Sequence, residues 1–180
     1  HAYVRRQRQM CIRDSGGTLQ MSHMVFDPLI RFDQKMGFEP RLAESWKRID
    51  DETMQFNIRQ GVKFHSGNVL TADDVVWTFN RLKSSPDFKG IFGPIVSFTK
   101  TGDYTVEVKT EGVYPLVENV MTYFFPMDSK FYSGKTEDGR DKAELVKHGN
   151  SYASTNVSGT GPFIITQREH CLLYTSPSPR

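Results

Sequence analysis

The sequence predicts an α/β chain of the mixed α+β type. Three stretches carry that prediction: an alternating run at Thr53 to Arg59, a capped amphipathic run from Thr71 to Lys83, and a second alternating run at Asp103 to Thr110. In the first, Met54, Phe56 and Ile58 alternate with Thr53, Gln55, Asn57 and Arg59, which is the period of a half-buried strand. Gly61 permits a turn, Val62 and Phe64 continue the alternation, and Ser66-Gly67-Asn68 is turn chemistry ahead of the next element. Thr71-Ala72-Asp73-Asp74 then has the capping-box pattern, with both carboxylates beside the positive end of a helix dipole. Val75, Val76, Phe79 and Leu82 follow at helical spacing, and Lys83 falls in the last turn before Ser84-Ser85-Pro86. In the third stretch, Tyr104, Val106 and Val108 alternate with polar residues after a Gly102-Asp103 turn.

The flanking segments give weaker signals. Val25 to Phe32 is an apolar run interrupted by Asp27 and Pro28, and Leu42 to Trp46 reads as a short helix or turn. Leu116, Val117, Val120 and Met121 suit one helical face. Tyr123-Phe124-Phe125-Pro126 reads as core, Lys142 to His148 before Gly149 as a short surface helix, and Phe163-Ile164-Ile165 as a buried strand after a Gly159-Thr160-Gly161-Pro162 turn.

Both ends of the 180 residues stand apart. Met10 to Ser15 reads MCIRDS and Cys171 to Ser176 reads CLLYTS. One DNA sequence read from its two strands encodes both. Residues 1–15 and 170–180 are therefore expected to be translated sequencing-library adaptor, contributing nothing to folding or function, as with other appended segments. On that expectation Cys11 and Cys171 say nothing of a disulfide or of redox compartment. Without Arg5, Arg6, Arg8, Arg13 and Arg180 the 23 basic residues become 18, and without Asp14 the 21 acidic residues become 20, so the formal charge moves from +2 to −2. The basic arm that suggested nucleic acid or an anionic membrane disappears with them. No run is long and apolar enough to suggest a membrane span.

Chemistry is sparse. Asp73 and Asp74 read as a helix cap rather than catalytic acids, because no cluster of catalytic residue types accompanies them. His23, His65 and His148 lack the paired spacing of a zinc motif, so no metal or cofactor is expected, and His65 reads as a hydrogen-bonding residue at a turn. Asn156-Val157-Ser158 matches a glycosylation acceptor of high chance frequency, and Gly159-Thr160-Gly161 is too short for a nucleotide loop. No GxSxG elbow or HExxH helix is present, and the chain is not expected to be an enzyme.

Taken in order, the segments Pro40-Arg41-Leu42-Ala43-Glu44-Ser45-Trp46, Phe56-Asn57-Ile58-Arg59, Gly61-Val62-Lys63-Phe64-His65 and Leu70-Thr71-Ala72-Asp73-Asp74-Val75 form a pattern. Asp103-Tyr104-Thr105-Val106 and Gly159-Thr160-Gly161-Pro162-Phe163 complete it. The pattern resembles the family 5 extracellular solute-binding proteins of ABC transporters, which include dipeptide-, oligopeptide- and nickel-binding members. Ser66 departs from it, standing where the family usually carries aspartate. The resemblance implies the N-terminal part of a longer, periplasmic or lipid-anchored, two-lobed protein whose lobes close by hinge motion. It implies the edge of the first lobe over 16–40, a small appended domain over 41–158, and a return strand to the first lobe over 159–169. It also implies a monomer that captures a short peptide solute and delivers it to an ABC permease at the membrane, without nucleic acid. Alternatives are the ligand-sensing domain of a transcription regulator, or a member binding nickel complexes, opines or oligosaccharides.

Ligand-binding candidates follow from the same resemblance. Phe26-Asp27-Pro28 falls where the first lobe turns at the mouth of the cleft, usually with an acidic residue before a glycine. There Asp27 suits a peptide's terminal ammonium, a charge-assisted bond about twice as strong as a neutral one, or it initiates a turn before Pro28. Pro28 lacks a donor that glycine would offer, and Phe26 flanks the solute or fills the core.

Overall fold

The computed structural model describes residues 22–85, 90–144, 152–169 and 172–177. After a helical turn at 22–25, β1 (Ile30–Phe32) and β2 (Phe38–Pro40) form a hairpin, Phe32 standing opposite Phe38. Four strands follow in one antiparallel sheet: β3 (Ala43–Arg48), β4 (Thr53–Ile58), β5 (Ile95–Gly102) and β6 (Thr105–Thr110), in spatial order β3-β4-β6-β5. Helix α1 (Ala72–Lys83) packs on this sheet. Short helices α2 (Val117–Met121), α3 (Ser129–Tyr132) and α4 (Tyr152–Thr155) lead to β7 (Phe163–Glu169) and β8 (Leu172–Pro177). The mixed α+β class read from the sequence is the observed one.

Alternation places the core. Met54, Phe56 and Ile58 of β4 are buried while Thr53, Gln55 and Asn57 between them are only partly so. Met54 stands opposite Val108 and Phe56 opposite Val106, so one face of the central strand pair is continuously apolar. Against it α1 lays Val75 and Phe79, both buried. The Phe79 ring stacks on Phe98 at 4.4 Å between centroids, Phe98 on Phe124 at 4.9 Å, and Phe124 meets Phe92 edge-on at 5.9 Å. Each such ring stabilises by roughly 1.5–3 kcal/mol through burial alone, and within the aromatic run expected as core Phe124 is fully buried while Phe125 is half-buried. Tyr123 beside it remains partly exposed.

Leu42 to Trp46, expected as a short helix or turn, lies instead largely in β3. Leu, Ala and Glu favour a helix intrinsically, but Trp46 sits opposite Phe56 and stacks on it at 6.4 Å, and Arg59 N–H bonds the Leu42 carbonyl at 2.7 Å. Tertiary pairing overrides local propensity here. Phe163, Ile164 and Ile165, expected as a buried strand, are only half-buried in β7. The surface helix expected over Lys142 to His148 lies largely outside the described residues. Leu172–Pro177, within the tail read as adaptor-derived, pairs with β7 as β8. An unpaired strand edge takes up any extended segment that reaches it, so this pairing needs no selected sequence.

Candidate functional site

Segment 22–28 is held by the chain returning after α4. Gly161 N–H bonds the Val25 carbonyl at 2.8 Å, Asp27 N–H bonds Thr160 Oγ1 at 3.2 Å, and Thr160 Oγ1 donates to Asp27 Oδ2 at 3.1 Å. The approach is close enough to demand glycine. A Cβ on Gly159 would come within 2.1 Å of the Val25 carbonyl oxygen, and one on Gly161 within 2.6 Å of the Met24 and Val25 backbones. Two glycines flanking Thr160 therefore serve backbone contact rather than nucleotide binding.

His65 completes the clasp. Its backbone N–H bonds the Gly159 carbonyl at 2.8 Å, its Nδ1 accepts the Gly159 N–H at 3.3 Å, and Nε2 lies 2.8 Å from the Gly161 carbonyl. An acceptor at Nδ1 and a carbonyl at Nε2 assign the proton to Nε2. The ring is a neutral brace between the turn at 65–68 and the return segment, which is the hydrogen-bonding role expected at a turn.

Beneath the clasp lies a buried carboxylate that single-sequence reasoning missed. Asp128 is fully buried and caps α3 through the Phe131 N–H at 3.0 Å. It also accepts hydrogen bonds from Ser66 Oγ, from Asn68 Nδ2 at 3.0 Å and 3.1 Å, and from Ser158 Oγ at 3.3 Å. A buried carboxylate is tolerated when donors surround it. The only sequence signal was a cap-type residue ahead of Ser129. Ser66, the departure from the family pattern, is one of those donors. Nearby, burial pushes the Tyr132 phenol up to about 12, while its hydroxyl accepts the Ser158 N–H at 3.1 Å and donates to the Asn156 carbonyl at 3.3 Å.

The two aspartates at the start of α1 part company. Asp74 is buried and closes the capping box, its Oδ2 accepting the Thr71 N–H at 2.9 Å and the Thr71 hydroxyl at 3.0 Å. Its Oδ1 takes the Ser129 N–H at 3.0 Å and the Ser129 hydroxyl at 2.6 Å, so it also fastens α3 to α1. Asp73 is exposed and pairs with Lys100 at 2.7 Å.

Two adjoining open depressions meet at Asp27. The smaller, about 300 Å³, is lined by Asp27, Pro28 and Tyr123 among others. The larger, about 840 Å³, runs from Asp27 past Arg59 and Lys63 to Thr160 and Phe163. His23, Asp27, Arg31 and Arg41 line both. Of the three ligand-binding candidates, half-buried Asp27 and buried Pro28 contribute to the lining of these depressions, whereas Phe26, also half-buried, lies with its ring near the position a Gly159 Cβ would occupy. Burial first, then the Arg31 charge, holds His23 below the usual imidazole range, with Asp27 pulling the other way. The Arg41 Nε is buried without a hydrogen-bond partner among the described residues. Glu39 stands 3.9 Å away, within ion-pair reach but beyond a hydrogen bond. A buried donor left unpaired costs about 1–3 kcal/mol. The described residues hold no group of three or more His, Cys, Asp or Glu that could hold a metal ion, and no helix among them is long and apolar enough to cross a membrane.

Comparison with known proteins adds the following. The family described as bacterial extracellular solute-binding proteins, family 5 Middle, matches residues 37–172. The oligopeptide-binding protein AppA of Bacillus subtilis is 39% identical over 94 residues, covering 49% of this chain and 17% of its own length. Its structure in complex with a nonapeptide superposes with a TM-score of 0.69 at 27% identity, over 87% of this chain and 30% of that one. The dipeptide-binding protein of Escherichia coli is 31% identical over 179 residues, covering 85% of this chain and 32% of its own length. NikZ of Campylobacter jejuni, solved in complex with Ni(L-His), shares the fold at a TM-score of 0.67 and 23% identity, over 82% of this chain and 28% of that one. The chain thus spans no more than about a third of these relatives.

Proposed function

Because the chain belongs to the bacterial extracellular solute-binding proteins of family 5, we propose that it is part of a two-lobed periplasmic or lipid-anchored receptor that captures short peptides and delivers them to an ABC permease. In this reading residues 16–40 and 159–169 belong to the first lobe and 41–158 form the appended domain. The receptor binds without catalysis, as a monomer, and its lobes close on the solute by hinge motion. The observation that carries the peptide reading is the likeness to AppA and to the dipeptide-binding protein, at 39% and 31% identity.

Phe26, Asp27 and Pro28 are assigned to the solute-facing rim. Support comes from the clasp, which fixes this segment's backbone beside open space while engaging Asp27 Oδ2 with a neutral hydroxyl rather than a cation. The Asp27 carboxylate then receives the solute's terminal ammonium, while Phe26 steadies the segment by packing towards Gly159. Calorimetry on a protein spanning the relatives' full length tests this. Asp27→Asn is expected to weaken peptides with a free amino terminus about tenfold, or 1.4 kcal/mol, and unchanged affinity removes Asp27 from the site.

A second reading, a receptor for a metal chelate, is favoured by the fold shared with NikZ. Titration of the same protein with nickel–histidine complexes against di- and tripeptides separates the two. A ligand-sensing domain of a transcription regulator is distinguished by the residues upstream in the gene. A signal peptide or lipoprotein cysteine marks the receptor, and a helix-turn-helix segment marks the regulator.

A further inference from the structure

The larger depression is lined by four cationic side chains, Arg31, Arg41, Arg59 and Lys63, against one carboxylate, Asp27. The carboxylates nearby are already engaged. Glu39 is held by Arg31 and lies 3.9 Å from Arg41 Nε, too far for a hydrogen bond, and Asp27 accepts from the neutral Thr160 hydroxyl. Arg59 directs its Nε to the Arg41 carbonyl at 3.2 Å, which brings the base of one arginine against the backbone of the other but neutralises neither charge. Arg41 Nε has no hydrogen-bond partner among the described residues. Burial first, then Arg31 and to a lesser degree Arg41, disfavour protonation of His23 against the opposing pull of Asp27, and four cations against one carboxylate leave the lining net positive.

We propose that Arg41, supported by Arg59, is a binding site for a carboxylate entering this depression. The Nε and Nη donors of a guanidinium form a planar edge that matches the two oxygens of a carboxylate, a fit that a point-charge ammonium does not offer. The Arg41 side chain lines the depression and is 38% exposed, so part of it is open to an entering anion. Asp27 in the same depression disfavours a dianion such as phosphate and leaves a monoanion as the fitting charge. The carboxylate comes either from a solute or from an acidic side chain elsewhere in the protein. The geometry that binds it is the same, and it does not depend on the solute being a peptide.

The test is a titration of the 180-residue chain with sodium acetate, following the arginine Nε–H resonances, with sodium chloride at matched ionic strength as control. The expected result is a saturable shift at Arg41 and Arg59 with acetate and none with chloride. In Arg41→Gln the acetate affinity read at Arg59 falls at least about tenfold. Arg41→Lys, which keeps the charge and loses the fork, gives the same loss with the thermal midpoint retained. An equal response to chloride, no saturable response, or undiminished acetate binding in Arg41→Lys overturns the site. In a protein of the relatives' length, a loss of solute affinity in Arg41→Lys at unchanged stability identifies the solute as the source. A loss of stability there, with acetate no longer shifting the wild-type Arg41, identifies an internal acidic side chain. Neither outcome bears on whether Asp27 meets an ammonium.

Discussion

Asp128 is sealed from water and carries no basic partner within ion-pair distance among the described residues, so its cost of burial is met by donors alone. Asp128→Ala is expected to destabilise by about 3 kcal/mol, because the Asn68 amide, the buried Ser158 hydroxyl, the Ser66 hydroxyl and the Phe131 N–H lose their acceptor at once. Asp128→Asn should cost less, since one oxygen remains. Urea denaturation of both variants checks this order, and equal losses would refute the network account. Tyr132 offers a reading by pH. Its folded value of about 12 lies above the ordinary 10, so folding favours the protonated phenol. The stability from that preference is fully present below about pH 10 and is lost as pH rises towards 12, by about 2–3 kcal/mol at most. Denaturation midpoints should fall over that window in the wild type relative to Tyr132→Phe, and parallel profiles would remove the phenol from the account.

At the scale of elements, Thr71 and Asp74 fix where α1 begins. Thr71→Ala is expected to cost about 0.5–2 kcal/mol. Asp73→Asn should stay within about 0.5 kcal/mol, as an exposed pair does, whereas Asp74→Asn also loosens Ser129 and should cost about 1–3 kcal/mol. Neither aspartate variant should alter solute affinity in a protein of full length, and a large affinity loss at intact stability would restore a functional role. This helix was legible because cap, apolar spacing and terminal lysine agree. Strand β4 was legible because alternation in sequence became alternation in burial. Strand β5 was not, because its register shifts between Ile95 and Ser97 and again between Lys100 and Gly102, which scrambles the period that a reader would seek. Nor was β3, where the partner strand decides what Leu42 to Trp46 becomes.

For the molecule as a whole, the sequence pattern revealed the family, while the polar geometry around Asp27 stayed hidden. Asp27 and Thr160 are 133 residues apart, and His65 and Gly161 are 96. Such pairs leave no periodic trace, so Asp128 and the orphaned Arg41 nitrogen emerge only when the chain is folded. Shortening the chain to residues 16–169 is expected to change stability by less than about 1 kcal/mol, the size of one typical contact. Among the described residues β8 pairs with β7 alone, and a two-stranded ribbon is marginal by itself. Thermal melts of the two chains decide the matter, and a larger loss would give the tail a structural part.

The clasp between segment 22–28 and Gly159–Gly161 sets a schedule for biosynthesis. A ribosome adding about 5–20 residues per second needs roughly 7–27 s to travel the 133 positions from Asp27 to Thr160. For most of that interval Val25 and Asp27 are outside the exit tunnel with their partners still unmade. The β3-β4-β6-β5 sheet and α1 can assemble around local pairings meanwhile, but segment 22–28 is set only when the return segment emerges. A nascent chain stalled short of Gly159 should therefore hold a protected sheet and an unprotected segment 22–28.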